Sequence, residues 1–215
     1  MNTLNPVWLI ILAGIVALIP VLTGLMTSYL KVSIVLGMLK NGLGAQQVPG
    51  NLVIMALSLA ITMYIMTPVV LRSSEASANI DFGMILKSPS AKSLQSLAPT
   101  IEPWREFMLR HAGEREIRAL TSLDAASNGE VEHSKEFRIL VPAFVLTEIK
   151  EAFAMGFVLL LPFLVVDLVV SNILAGMGMV MMSPMIISLP LKLILFVISD
   201  GWILVTKGLI NSYAG

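Results

Sequence analysis

Apolar residues along this chain fall into four long runs that are separated by more polar stretches. The runs cover residues 7–22, 51–71, about 153–174 and 185–205. Each run is close to the roughly 20 residues that an α-helix needs to cross the hydrocarbon core of a bilayer. The pattern predicts an all-α protein with the layout of a four-segment, multi-pass membrane protein.

The polar stretches divide the chain into three parts. Residues 1–71 form an N-terminal hydrophobic helical pair with a linker over 23–50, and residues 140–215 form a C-terminal hydrophobic hairpin whose tip covers 175–185. Between them, residues 72–139 hold nine of the fourteen basic and ten of the fourteen acidic residues. We expect this insert to be a small helical domain that packs against its neighbours, with a peptide-binding role as the alternative.

The linker has its own pattern. Apolar residues recur at helical spacing up to Asn41-Gly42, a pair typical of a helix C-terminus, and Pro49-Gly50 predicts a turn before the second run. The linker carries Lys31 and Lys40 and no acidic residue. The positive-inside bias therefore places it in the cytoplasm, with the insert and both termini on the periplasmic side, although Lys207 weakens this assignment.

Composition supports a membrane protein and excludes several functions. Hydrophobic residues make up 56% of the 215 residues and charged residues 13%, against about 25% charged in a typical soluble domain. Zero net charge gives no indication of nucleic-acid binding, and there is no cysteine. His111 and His133 are too isolated to predict a zinc site. The sequence contains no phosphate-binding loop, nucleophile motif or paired-carboxylate site. We therefore expect that the protein is not an enzyme and binds no metal or cofactor.

Prolines and charges interrupt the two C-terminal runs. Pro162 and Asp167 lie in the third run, and Pro190, Lys192 and Asp200 in the fourth. Since a charge at the bilayer centre costs about 2.5–3.5 kcal/mol on insertion scales, these faces should meet protein or water rather than lipid.

Lys192 needs a partner in such surroundings. We expect it to pair with Glu148 or Asp167, within a subunit or between subunits; the alternative is that it reaches an interface on its flexible stem. Buried charges and kinked helices in so short a chain also suggest a ring of several copies.

Three functions remain open at this point. They are conduction of proteins, a role as a subunit of a small-solute or ion transporter with broken helices, and a role as a scaffold. The hairpin tip, AGMGMVMMSPM, is uncharged and rich in methionine, which on composition alone favours ordinary buried filler.

Several stretches resemble one family. They are TSYLKVSIVLGMLKNGLGAQQVPGN, PAFVLTEIKEAF, GFVLLLPFLVVDLVVSNILAGMGM and LPLKLILFVISDGW, in that order. The chain thereby resembles the FliP/SctR family, the core export-gate proteins of type III secretion systems in the bacterial inner membrane. The residues that carry the motifs are Lys31, Asn41, Gly44, Gln46, Gln47, Pro49, Pro142, Phe153, Pro190, Asp200 and Gly201. Leu191 and Ser183, where flagellar members often have Phe and Pro, favour the injectisome branch.

The resemblance implies a pentamer that assembles with SctS-like and SctT-like proteins into a helical stack of kinked hairpins, raised toward the periplasm. Unfolded substrates would pass through it. Met179, Val180 and Met181, with Met177 and Met182, would form a gasket across the pore, and Gly176 and Gly178 would let the loop bend. Methionine suits a seal because its unbranched side chain adapts to irregular partners.

Overall fold

The computed structural model describes residues 24–44, 49–78, 98–128, 137–179 and 181–214, together with the isolated residues 13, 14, 17 and 21. Within these residues the chain forms α-helices and no strand, which confirms the all-α prediction. The helices are α1 (Tyr29–Gly42), α2 (Asn51–Ser77), α3 (Ala98–His111), α4 (Glu114–Asn128), α5 (Phe137–Gly176), α6 (Pro184–Ile198) and α7 (Gly201–Asn211). Apart from those isolated residues, the first apolar run lies outside the described residues.

The linker helix α1 forms the centre of the subunit. Val32, Val35, Leu36 and Leu39 lie on one face and are buried, mainly against α5. The helix ends at Gly42, as the sequence predicts, and Gly44 follows with a positive φ of 73°. Pro49 lies in the bend before α2, which begins at Asn51.

The longest element is α5. It begins at Phe137, well before the predicted run, and continues for 40 residues through Pro142 and Pro162. At 1.5 Å per residue it is about 60 Å long, roughly twice the thickness of a bilayer core. Only part of α5 can therefore lie in hydrocarbon, and its charged N-terminal half, with Glu148, Lys150 and Glu151, is the part that must lie outside.

The fourth apolar run contains a sharp bend. It is divided into α6 and α7, which meet at an angle of 63°. Asp200 adopts a left-handed conformation at the break, with φ of 50°. At Gly201 a Cβ atom would lie 2.1 Å from the Phe196 ring, so a glycine is required there. The described residues contain two helices that could span a membrane, or three if α6 and α7 form one broken span.

The described part of the insert packs on the apolar body. Helix α3 lies against α2 and α5, and α4 lies against α5. At the turn between α3 and α4, the Gly113 amide donates a 2.8 Å hydrogen bond to Thr147 Oγ1 of α5. Within α4, Glu116 Oε1 lies 3.0 Å from Lys150 Nζ of α5. Phe107 and Met108 of α3 join the same hydrophobic core as α1 and α5.

Candidate functional site

The tip of the hairpin between α5 and α6 is built by a glycine turn. Gly178 has a φ of 76°, and its amide donates to Ala175 O at 3.0 Å, while the Met179 amide donates to Leu174 O at 2.9 Å. This pair of bonds is the Schellman arrangement that ends a helix at a left-handed glycine. The bend therefore lies at Gly178, whereas Gly176 is the last residue of α5 and is helical.

The methionine side chains of this tip are exposed on the subunit surface. Met181 is fully exposed at 103% relative accessibility, and Met177 follows at 68%. Met179, Met182 and Met185 are also exposed. Val180 lies outside the described residues. Because the described part of 177–185 carries no charge, the subunit presents an apolar, adaptable surface there, and that surface needs a partner to cover it.

Lys192 holds the hairpin together below the tip. Its Nζ atom lies 2.6 Å from Asp167 Oδ2 and donates a 3.1 Å hydrogen bond to Gly42 O at the end of α1. Lys192 is 5% exposed, although it belongs to an otherwise uncharged helix. Of the two partners that the sequence suggested, the structure brings Asp167 to Lys192 within one subunit. One lysine thereby connects α1, α5 and α6.

Glu148 takes part in a different cluster. Its Oε1 atom lies 3.1 Å from Lys31 Nζ, which also lies 2.7 Å from Glu151 Oε2. Lys31 and Glu148 are 1% and 0% exposed, whereas Glu151 is half exposed. Lys31 is therefore a buried, neutralised charge, and it no longer supports the orientation that we inferred from free lysines in the linker.

An aromatic residue that the sequence analysis did not single out closes this cluster. The Tyr213 hydroxyl donates to Glu148 Oε2, and Lys31 Nζ lies 4.2 Å from the centre of the Tyr213 ring. The only sequence signal was a tyrosine just after an apolar helix, which by itself predicts nothing. Burial and the Glu148 charge raise the pKa of Tyr213, so its hydroxyl keeps its proton and remains a donor.

The same tyrosine contacts the insert. Its ring stacks on Phe107 at 5.8 Å and meets His111 edge-on at 5.0 Å. Burial, helped by Lys31 and Arg110, lowers the pKa of His111 to about 4. His111 is therefore neutral at pH 7, because burial and the nearby cations disfavour its charged form.

The other motif residues that the structure describes lie at several separate places. Asn41 lines a pocket with Asp167 and Lys192, while Gln46 and Gln47 lie outside the described residues. Pro142 and Pro190 lie inside α5 and α6. Phe153 is 55% exposed on α5. The motif thus marks helix ends, bends and packing positions as well as the tip.

A broad apolar surface surrounds the subunit. Phe153, Phe157, Leu161, Leu164 and Leu168 form an exposed stripe along α5. Further exposed apolar residues cover α2, α6 and α7, such as Met63 and Tyr64, Ile194 and Val197, and Ile203 and Leu204. A monomer in water rarely exposes so much apolar area, so lipid or other protein must cover it.

Comparison with known sequences matches these features to one family. The FliP family profile matches residues 12–209. The "Yop proteins translocation protein R" of Yersinia pestis is 38% identical over 215 residues, which cover 96% of each chain. The "Hypersensitivity response secretion protein HrcR" of Ralstonia nicotianae is 34% identical, over 95% of this chain and 96% of the relative. The "Flagellar biosynthetic protein FliP" of Aquifex aeolicus is 36% identical, over 99% of this chain and 87% of the relative.

Proposed function

The chain belongs to the FliP family, and from that premise we propose that several copies of it line a gated pore through which unfolded proteins cross the bacterial inner membrane. Like its relatives, it is a component of a type III secretion export apparatus. Its apolar helices fit an inner-membrane protein. The identities to injectisome and flagellar relatives overlap, so the injectisome branch stays a prediction that rests on Leu191 and Ser183.

The observation that carries the proposal is the uncharged, exposed methionine tip. Five methionines stand at the end of a hairpin whose base is fixed by the Lys192–Asp167 contact. Methionine side chains have three rotatable bonds, so a ring of them can pack closely around an axis and still move aside for a passing chain. The described tip residues carry no charge that would hold water in the constriction.

The partners follow from the apolar surface. The exposed stripes on α5 and α6 fit neighbouring subunits, and we propose a pentamer that also binds SctS-like and SctT-like proteins. In that assembly much of the apolar surface meets protein, with the body raised toward the periplasm and the insert on the periplasmic side. The chain acts without catalysis, and a separate ATPase or the proton gradient supplies the driving force.

A leak measurement tests the pore. In bacteria that express the whole apparatus, Met179→Ala with Met181→Ala shortens the tip side chains without a new charge. We expect the complex to assemble normally while a membrane-potential dye reports faster loss of the potential, because the seal is thinner. The matched control is Met55→Ala with Met63→Ala, which shortens two exposed methionines on α2.

The outcome separates the three functions. An assembled tip variant that leaks no more than the control would contradict the seal and favour a scaffold. A transporter subunit would instead lose selective solute uptake without a general leak, and the family comparison gives that alternative no support. The pore proposal requires a leak in the tip variant alone.

A further inference from the structure

Glu148 depends on one neighbour for its hydrogen bond. Its side chain is completely buried, and its Oε1 atom faces Lys31 at 3.1 Å without the geometry of a hydrogen bond. Its Oε2 atom accepts the hydrogen bond of the Tyr213 hydroxyl. A buried carboxylate without a donor carries a large desolvation cost, so Tyr213 supplies what the Lys31 contact alone does not.

Tyr213 reaches this position on a rigid support. The Ser212 amide donates to Gly208 O at 3.1 Å and the Tyr213 amide to Ile210 O at 3.0 Å, so the backbone continues from α7 in a hydrogen-bonded turn. Leu209 of α7 is fully buried in the core. A shift of Tyr213 would therefore move α7, and through the bend at Asp200 it would also move α6.

One side chain thus contacts three separate parts of the subunit. Its hydroxyl binds Glu148 of α5, its ring faces Lys31 of α1, and the same ring stacks on Phe107 and touches His111 of α3 in the insert. Lys31, Phe107, Glu148 and Tyr213 are far apart in sequence and are each at most 9% exposed. Within the described residues, α7 has few other contacts with α3 and α4, the helices of the insert.

We propose that Tyr213 is a positioning residue: its hydroxyl and ring together hold the polar insert and the α6–α7 arm in a fixed place relative to the α1–α5 pair. The hydroxyl satisfies the buried carboxylate, and the ring transmits that fixed position to α3. The arm in turn carries one side of the methionine tip. This role concerns contacts within a single subunit, so it does not depend on the proposed pore.

Hydrogen exchange on the full-length protein purified in detergent tests the role. Tyr213→Phe keeps the ring and removes only the hydroxyl, which leaves Glu148 Oε2 without its donor. We expect backbone amides in both α3 and α7 to exchange about tenfold faster, because the buried carboxylate has lost its donor. A tenfold change is equivalent to about 1.4 kcal/mol of opening free energy. The matched control is Tyr64→Phe, which removes an exposed hydroxyl on α2 and should change neither helix.

A second variant asks whether the hydroxyl acts through the carboxylate. Glu148→Gln lowers the cost of a missing donor because an amide is neutral, and Glu151 still neutralises Lys31 at 2.7 Å. Added to Tyr213→Phe, it should restore most of the slow exchange in α3 and α7. A residue that merely filled space would show no such rescue, since the ring is the same in both variants.

The results that would overturn the role are specific. They are exchange in Tyr213→Phe that matches the Tyr64→Phe control, a change confined to residues 212–214, or no rescue by Glu148→Gln. If Tyr213→Phe cannot be recovered folded, recovery of the double variant supports the role, and failure of the double variant as well contradicts it.

Discussion

The hairpin tip and the Lys31–Glu148–Tyr213 cluster place apolar and charged groups in opposite ways. At the tip, five methionines are exposed, and the described residues of 177–185 carry no charge. In the cluster, a lysine and a glutamate are almost completely buried beside a tyrosine. A soluble domain would usually bury the first group and expose the second.

The difference distinguishes the residues that hold the subunit in its fold from the residues that contact its surroundings. Buried charges that neutralise each other have a defined geometry, and they hold three parts of the chain in one arrangement. Flexible methionines have no such geometry and adapt to whatever covers them. The cluster therefore stabilises the arrangement of helices within the subunit, whereas the tip is covered only when further protein packs against it.

Removing the buried cation should have the largest effect. Lys31→Met leaves Glu148 buried without its countercharge, and we expect a loss of about 3–5 kcal/mol in the free energy of unfolding. Lys207→Met, at an exposed lysine on α7, should change stability by less than about 0.5 kcal/mol. Thermal unfolding of both variants in detergent measures the contrast.

The double variant Lys31→Met with Glu148→Leu sharpens this test. Apolar replacement of both partners removes the uncompensated charge, so more than half of the lost stability should return. Equal unfolding of the Lys31 and Lys207 single variants would show that the cluster does not define the subunit.

Reversal at the hairpin base should reduce assembly of the oligomer. Lys192→Glu brings two carboxylates together beside Gly42 O, and we expect about fivefold less oligomer to be recovered in detergent, equivalent to about 1 kcal/mol. The loss is modest because Asp167 is partly exposed to solvent. The oligomer fraction can be read from native electrophoresis.

Charge reversal of the partner identifies the contact. Lys192→Glu combined with Asp167→Lys should restore the oligomer, and combined with Glu148→Lys it should not, since Glu148 lies against Lys31. Unchanged assembly of the single variant would remove the role that we give to the hairpin base.

The most local effect should distinguish the two glycines at the tip. Gly178→Ala places a side chain at a φ of 76°, which costs roughly 1–2 kcal/mol. Gly176→Ala lies at a helical position with open space around it and should instead stabilise α5 by about 0.5–1 kcal/mol. Opposite shifts of the unfolding midpoint would place the bend at Gly178, and equal shifts would contradict it.

Local patterns in the sequence predicted much of the fold. The all-α class follows from the apolar runs, the end of α1 from Asn41-Gly42, and the start of α2 from Pro49-Gly50. These features depend on neighbouring residues, and helix propensity and turn chemistry act at that range.

Features that depend on distant residues could not be predicted. The break at Asp200 is an exception, since an Asp-Gly pair is a local turn signal, and the nearby Phe196 ring explains why Gly201 must follow it. Lys31 looked like a free linker charge, because its partners Glu148 and Tyr213 come much later in the chain. The partner of Lys192 could be narrowed to two carboxylates, but the choice required the packing of α5 on α6.

Cross-linking of the tips tests the central claim most directly. The natural chain has no cysteine, so Met181→Cys introduces a single thiol at the most exposed tip residue, and Met63→Cys on α2 serves as the control. In membranes that contain the assembled apparatus, a short bis-maleimide reagent should join Met181→Cys copies into covalent dimers and leave the control monomeric. Monomeric Met181→Cys in an assembled complex would show that the tips of different copies do not meet at a shared axis.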